Sequence, residues 1–127
     1  MEKSSSLEDY LKQILVLYNK NGSVRSIDIA EAMGVSKPSV CNATKKLRHQ
    51  NLIYFDNEGH ILFTEEGKKT AEKIYSKHSL LSKLLMITGV NEDTAHKEAC
   101  LMEHAISDET YRCLDKYVNK HAVTENA

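Results

Sequence analysis

The feature that most restricts the fold is an apolar repeat at intervals of three and four residues, which recurs along almost the whole chain. Near the start it runs through Leu7, Leu11, Ile14, Leu15 and Tyr18. Ser6 precedes this stripe as a candidate N-cap, and Asn21-Gly22 follows it. This pattern predicts a first amphipathic helix that buries one face.

A tight turn joins the next two predicted helices. A short helix over residues 27–33 opens at Ser26 or its neighbour and closes at Gly34, a residue suited to the left-handed position after a helix end. Ser36 then caps a third helix, and Pro38 lies in its first turn, where a missing N–H costs nothing. Its inward stripe is Val40, Ala43, Thr44 and Leu47.

A short hairpin follows this pair of helices. Two β-prone runs, at 53–55 and 60–63, flank the turn-forming segment Asp56-Asn57-Glu58-Gly59. Two helices joined by a tight turn and followed by a hairpin are typical of a winged helix-turn-helix. The acidic residues Asp56 and Glu58 at the hairpin tip predict fewer phosphate contacts than a basic wing would make.

The rest of the chain is predicted to be helical. The predicted helices run from residue 64 to about 87, from 91 to about 105, and from 107 to about 117 or 119, with a frayed polar tail from Lys120. The predicted fold is therefore mainly α with a small β-hairpin. A winged helix-turn-helix domain at 1–66 precedes an α-helical metal-binding and dimerisation domain at 67–127.

Length and composition limit the class of protein. With 127 residues, the chain is too short for a large multi-domain enzyme. Met1–Ser6 lacks an apolar region, and Lys83 interrupts the most apolar stretch, Leu80–Ile87, so we expect neither export nor membrane insertion. Cys41, Cys100 and Cys113 form no CxxC pair, which favours reduced thiols and a cytoplasmic location.

Charge is distributed unevenly although the net charge is only -1. No acidic residue occurs between Val35 and Phe55, where the predicted third helix carries four cations. Its outer face predicts DNA contacts by Lys37, Ser39, Asn42, Lys45 and Lys46. Cations would bind phosphates, and Asn42 would pair with a base edge in the major groove. The alternative is an ordinary solvated amphipathic helix.

The segment from His96 to His104 is the densest collection of metal donors in the chain. On a helix, His96, Cys100, Glu103 and His104 share one face. His78 and Asp9 have suitable chemistry to complete the coordination. A mixture of nitrogen, oxygen and sulfur donors suits a transition ion and disfavours calcium or magnesium. Alternatively, Cys100 is a small buried hydrophobe and the histidines are ordinary surface residues.

The order of elements and the run Glu98-Ala99-Cys100-Leu101-Met102-Glu103-His104-Ala105-Ile106-Ser107 resemble the DtxR/MntR family of metal-dependent bacterial repressors, over roughly Leu7 to Tyr117. The resemblance implies a homodimer that binds a palindromic double-stranded operator when a divalent metal is bound. It implies Fe(II) or Mn(II), with Zn(II) also acceptable, and no membrane partner. The slight preference for Fe(II) comes from the thiol of Cys100.

The resemblance also implies roles for particular residues. The main metal site would use Asp9, Cys100, Glu103 and His104, and an ancillary site would use His78 with Glu98 or His96 nearby. Ser36, Pro38 and Asn42 would touch DNA. The chain departs from the family where Lys12 replaces a second carboxylate of the manganese branch and Ser82 replaces a carboxylate of the iron branch. We expect no counterpart of the SH3-like domain of longer members.

Two other functions compete with metal-dependent repression. One is a winged-helix transcription regulator that responds to an organic ligand, with structural His and Cys residues. The other is a small metal hydrolase with Glu103 as general base, which the missing HExxH pattern and the short chain disfavour. We therefore expect a repressor and not an enzyme.

Overall fold

The computed structural model describes the backbone of residues 6–126 and the side chains of residues 6–121. In this part of the chain the helices are α1 (Leu7–Asn21), α2 (Ser26–Met33), α3 (Lys37–His49), α4 (Glu65–Ile87), α5 (Glu92–Met102) and α6 (Asp108–Asn126). The strands are β1 (Ile53–Phe55) and β2 (Ile61–Phe63). The prediction of a mainly helical chain with one hairpin is confirmed. The prediction of no export signal falls mostly on residues 1–5, which lie outside the described part.

The chain divides into two compact units, Met1–Lys73 and Ile74–Ala127. The first unit contains α1 to β2 and the start of α4, and the second contains the rest of α4 with α5 and α6. No helix in residues 6–126 is long and apolar enough to cross a membrane.

The first helix begins and ends as its sequence predicts. Ser6 Oγ accepts a hydrogen bond from the Asp9 amide at 3.1 Å, and the Asp9 carboxylate accepts one from the Ser6 amide at 3.4 Å. This reciprocal capping box satisfies amides that the first turn leaves without helical partners. Gly22 ends the helix at φ 81°, a left-handed conformation that costs glycine little.

The helix-turn-helix is built by α2 and α3. Gly34 has the expected left-handed conformation, with φ 65°, and Ser36 Oγ accepts a hydrogen bond from the Ser39 amide at 3.2 Å. The predicted stripe of α3 is buried at Val40, Ala43, Thr44 and Leu47. The N-cap of α2 is Arg25, the neighbour of Ser26. Because the stripe is buried, the polar and basic side chains of α3 lie outside.

The wing is an antiparallel hairpin in which Ile53 pairs with Phe63. At its tip, Asp56 Oδ1 accepts hydrogen bonds from the amides of Glu58 and His60 at 2.9 and 2.8 Å. The pKa of Asp56 lies below its usual value, mainly because the His60 amide donates a hydrogen bond to its carboxylate. Partial desolvation opposes this shift, and the His60 ring and the Glu58 amide add to it. The turn is therefore organised by one carboxylate.

The wing is also tied to the chain before α2. The amide of Ile61 donates to the Val24 carbonyl at 2.7 Å, and Arg25 Nη1 donates to the Glu58 carbonyl at 2.8 Å. These bonds link the hairpin to the entrance of the helix-turn-helix. The first unit therefore holds its wing at the turn and at the first residue of β2.

In the second unit, two predicted helix ends are wrong. α5 ends at Met102, not near Ala105, because residues 103–105 form a turn in which the Ala105 amide donates to the Met102 carbonyl at 2.9 Å. α6 continues past Lys120 to Asn126, where a frayed tail was expected. No Gly or Pro occurs between 108 and 126, so polar composition alone does not stop this helix.

The apolar run Leu80–Ile87 of α4 is buried at its start. Leu80 and Leu81 are 7% and 0% exposed. Leu84 and Leu85 are half-buried, and Met86 and Ile87 are exposed. Within the run Leu80–Ile87, the exposed apolar side chains are therefore those of Met86 and Ile87.

Candidate metal centre and nucleic-acid interface

Glu103 lies at the centre of a cluster of donors in the second unit. It is the C-cap of α5, and its side chain is 0% exposed. His78 Nδ1, on α4, lies 3.2 Å from Glu103 Oε2, and His104 Nε2 lies 3.5 Å from Glu103 Oε1. Each oxygen of one buried carboxylate therefore faces an imidazole nitrogen.

A second histidine of α5 extends the cluster. His96 Nδ1 lies 3.4 Å from His78 Nε2, and the two rings stack with an interplanar angle of 16°. Ser82 Oγ lies 3.4 Å from the same His96 nitrogen and donates to the His78 carbonyl at 2.8 Å. We call His78, His96, Glu103 and His104 the donor cluster.

The donor cluster has the composition that a divalent transition ion requires. A fully buried carboxylate is costly unless cations or donors compensate its charge. The contact between His78 Nδ1 and Glu103 Oε2 is short, yet its angles are not those of a hydrogen bond. Imidazole and carboxylate donors that converge in this way fit Fe(II), Mn(II) or Zn(II).

The other predicted metal residues are placed as follows. Cys100 is half-buried on α5, one turn before His104. Asp9 belongs to the first unit, where it completes the capping box of α1 and lies 4.0 Å from Lys12 Nζ. Glu98 is exposed on α5, and its side chain has no hydrogen bond or ion pair within the described residues.

His78 was predicted either to complete the coordination of the stripe from His96 to His104 or to form an ancillary site with Glu98 or His96 nearby. In the structure it contacts both His96 and Glu103, so these residues form one continuous cluster. The 25-residue separation between His78 and Glu103 leaves no periodic signal, because the contact depends on how α4 packs against α5.

The outer face of α3 is the candidate nucleic-acid interface. All seven predicted contact residues are exposed: Ser36, Lys37, Pro38, Ser39, Asn42, Lys45 and Lys46. The sequence predicted no contact between Arg48 and the wing. In the structure, the Arg48 guanidinium lies 5.6 Å from the centre of the Phe55 ring on β1. This contact joins the recognition helix to the wing.

A groove lies beside this face, between the start of α2, the outer side of α3 and β1. Its volume is about 560 Å³. Ile27, Val40 and Phe55 line its apolar part, and Lys37, Lys45 and Arg48 line its cationic part. Apolar contact with sugar or thymine methyl groups combined with cations for phosphates is a common DNA-binding chemistry.

Two family models match consecutive parts of the chain. Residues 2–61 match the N-terminal DNA-binding domain of iron-dependent repressors. Residues 64–125 match the metal binding and dimerisation domain of the same repressors. The first match contains the helix-turn-helix and most of the wing, and the second contains the donor cluster.

Known proteins are similar over nearly the whole chain. The transcriptional regulator MntR of Escherichia coli O157:H7 is 31% identical over 115 residues, which cover 91% of this chain and 74% of MntR. An HTH-type transcriptional regulator of Methanocaldococcus jannaschii is 34% identical over 119 residues, covering 92% of this chain and 95% of that protein.

A solved structure has the same fold. The manganese regulator SloR superposes with a TM-score of 0.83 and 36% sequence identity, over 92% of this chain and 55% of SloR. The chain therefore spans about half the length of this structural relative, whereas it spans most of the length of the regulators from E. coli and M. jannaschii.

Proposed function

Because the chain belongs to the DtxR/MntR family of metal-dependent repressors, we propose that it represses transcription by binding operator DNA when a divalent iron or manganese ion is bound. The acting form is a homodimer, in keeping with the dimerisation domain that residues 64–125 match. Genes of metal homeostasis are the proposed targets, because such a repressor reports the supply of the ion that it binds.

The buried Glu103 carboxylate between two imidazoles is the observation that carries this proposal. His78, His96, Glu103 and His104 would hold the ion in the second unit. The family resemblance adds Cys100 and Asp9 as proposed ligands. When bound, the ion supplies the positive charge that compensates the buried carboxylate.

Metal binding at this site is expected to depend on pH, because its ligands can be protonated. Imidazole and thiol groups must lose a proton before they ligate a metal, so protons compete with the ion. The metal response of DNA binding is therefore expected to weaken as the pH becomes acidic.

The DNA side of the proposal rests on α3. Its buried stripe fixes which side chains face outward, and these are polar, basic and free of acids. Two copies related by a twofold axis would present two such helices about 34 Å apart, which is one turn of B-DNA. A palindromic operator has the matching symmetry.

Coupling between metal and DNA follows from linkage. If the DNA-binding arrangement binds the ion tenfold more tightly than the other arrangements do, its population is favoured by about 1.4 kcal/mol. The residues of the donor cluster determine the affinity for the ion, and those of α3 determine the affinity for DNA.

The proposal is tested by measuring DNA affinity with and without metal. Operator sequences are first selected from a random duplex library in Mn(II). Fluorescence anisotropy then compares Mn(II), anaerobic Fe(II), Zn(II) and excess chelator at constant salt. We expect at least about tenfold tighter binding with Mn(II) or Fe(II) than with chelator. Equal affinities in all four conditions would contradict metal-dependent repression.

Two substitutions on α3 separate phosphate binding from base recognition. Lys45→Ala is expected to weaken binding to all sequences alike and to reduce the slope of log affinity against log salt by about one. Asn42→Ala is expected to reduce discrimination at one base pair by about 1–3 kcal/mol with little change in the salt slope. Anisotropy titrations at several salt concentrations measure both effects.

Lys69→Ala is the control for this pair of variants. Lys69 is an exposed lysine of α4, with a side chain that is 76% exposed and 3.6 Å from Glu65. It should leave affinity and salt slope unchanged. If Lys69→Ala and Lys45→Ala had equal effects, the outer face of α3 would not be a specific DNA interface.

A further inference from the structure

Helix α5 is followed by a short non-helical segment, residues 103–107, which carries two members of the donor cluster. Glu103 and His104 open this segment, and Ser107 ends it by capping α6. The Ala105 amide donates to the Met102 carbonyl at 2.9 Å, which forms a turn directly after α5. A turn outside regular helix has few internal bonds, so its position depends on contacts with other elements.

Lys77, on α4, makes such a contact at the far end of the segment. Its Nζ donates to the Ile106 carbonyl at 3.3 Å and lies 3.4 Å from Asp108 Oδ1. The Lys77 side chain is 13% exposed, whereas that of Asp108 is 50% exposed. Solvent weakens the ion pair, so the hydrogen bond to the backbone carbonyl contributes more to holding the segment than the ion pair does.

Lys77 and His78 are consecutive residues that hold the two ends of one segment. His78 contacts Glu103, and Lys77 contacts Ile106 and Asp108. Successive residues of a helix point about 100° apart, so they reach different points along a neighbouring turn. The pair therefore sets both the position and the direction of the chain that presents Glu103 and His104.

We propose that Lys77 is a positioning residue of the metal site. It fixes the segment 103–107 against α4 before the ion arrives, so that binding does not have to order Glu103 and His104. Groups behind metal ligands commonly change metal affinity by about ten- to a hundredfold when removed. This inference rests on the proposed metal-dependent function.

The first measurement requires no metal. Amide hydrogen exchange in the metal-free protein is compared for wild type, Lys77→Met and Lys77→Arg. Lys77→Met keeps much of the length of the side chain but removes its charge and its donors. We expect the Ala105 amide to exchange about tenfold faster in Lys77→Met, because its turn opens more often. Lys77→Arg, which still donates, should restore most of the protection.

The second measurement is calorimetric titration with MnCl2. We expect the dissociation constant to rise about tenfold in Lys77→Met and by much less in Lys77→Arg. Lys83→Met is the matched control, because Lys83 is an exposed lysine of the same helix. It should change neither the exchange rate nor the affinity.

The outcomes separate this proposal from the general function. If wild type bound neither Mn(II) nor anaerobic Fe(II), the proposed function would fail, while hydrogen exchange would still decide the role of Lys77. The proposal is overturned if Lys77→Met matches wild type within twofold in both measurements, or if Lys77→Arg restores neither.

A second variant covers the case in which Lys77→Met does not fold. Asp108→Asn removes the negative charge that faces Lys77 and is expected to raise the dissociation constant for Mn(II) about threefold, within the range typical of partly exposed pairs. An unchanged affinity in Asp108→Asn, together with an unfolded Lys77→Met, would assign Lys77 to folding and overturn the proposal.

Discussion

Glu103→Gln is expected to abolish the response of DNA binding to metal. The substitution keeps the shape of the side chain but removes the charge that both neighbouring imidazoles face. A neutral amide is a much poorer ligand for Fe(II) or Mn(II) than a carboxylate. We expect the dissociation constant for Mn(II) to rise by about a hundredfold or more, and operator affinity in Mn(II) to fall to the level seen with chelator.

The same substitution should not destabilise the metal-free protein. Burying a carboxylate is costly, and an amide of nearly equal shape avoids the cost of burying a charge while it can still form hydrogen bonds with its neighbours. Glu103→Gln should therefore unfold in urea at the same concentration as wild type or a higher one when no metal is present. Loss of metal binding with an intact fold distinguishes a ligand from a residue that only maintains structure.

Glu92→Gln is the matched control for this prediction. Glu92 also lies on α5 but is exposed, and it belongs to no predicted metal site. The control should retain the metal affinity and the metal-dependent DNA binding of wild type. If Glu103→Gln retained them as well, Glu103 would not be a ligand.

The elements of the first unit could be predicted because their signals are local. Ser6, Gly22, Gly34 and Ser36 mark helix ends by their own chemistry, and the structure confirms each. The alternation of buried and exposed residues along α3 follows from its apolar spacing alone. These features need only a few consecutive residues to be recognised.

The site in the second unit could be predicted only in part. The pattern from His96 to His104 predicted candidate donors on one helical face, whereas α5 ends at Met102 and His104 lies in the following turn. His78 was predicted to have suitable chemistry to join them, but its contact with Glu103 depends on packing between α4 and α5 and is not encoded in local spacing. The contact of Lys77 with Ile106 depends on packing in the same way and was not predicted.

Gly67 is a second position where local rules and packing disagree. It lies in the first turns of α4, and its amide donates to Thr64 Oγ1 at 3.0 Å. Thr64 Oγ1 donates in turn to the carbonyls of Asn51 and Leu52 at 2.8 and 3.1 Å. The start of α4 is thereby fastened to the chain that links α3 to the wing.

The absence of a side chain at Gly67 is what permits this close approach. A Cβ built on Gly67 would overlap the backbone carbonyl of Leu52. A backbone carbonyl cannot rotate away as a flexible side chain can, and this one accepts hydrogen bonds from the amide and the hydroxyl of Thr64. The overlap can therefore be relieved only by moving α4 away from the link between α3 and the wing.

Gly67→Ala is accordingly expected to lower the free energy of unfolding by about 3 kcal/mol, the upper end of the usual cost of overpacking. Helix propensity alone predicts the opposite sign, a gain of about 1 kcal/mol, because Ala is the better helix former. Urea unfolding followed by circular dichroism measures the difference, with Glu72→Ala on the exposed side of α4 as the control for propensity. A Gly67→Ala protein as stable as wild type would show that α4 can shift without cost. A loss of stability together with weakened operator binding would instead show that the spacing between α4 and the wing supports the DNA-binding unit.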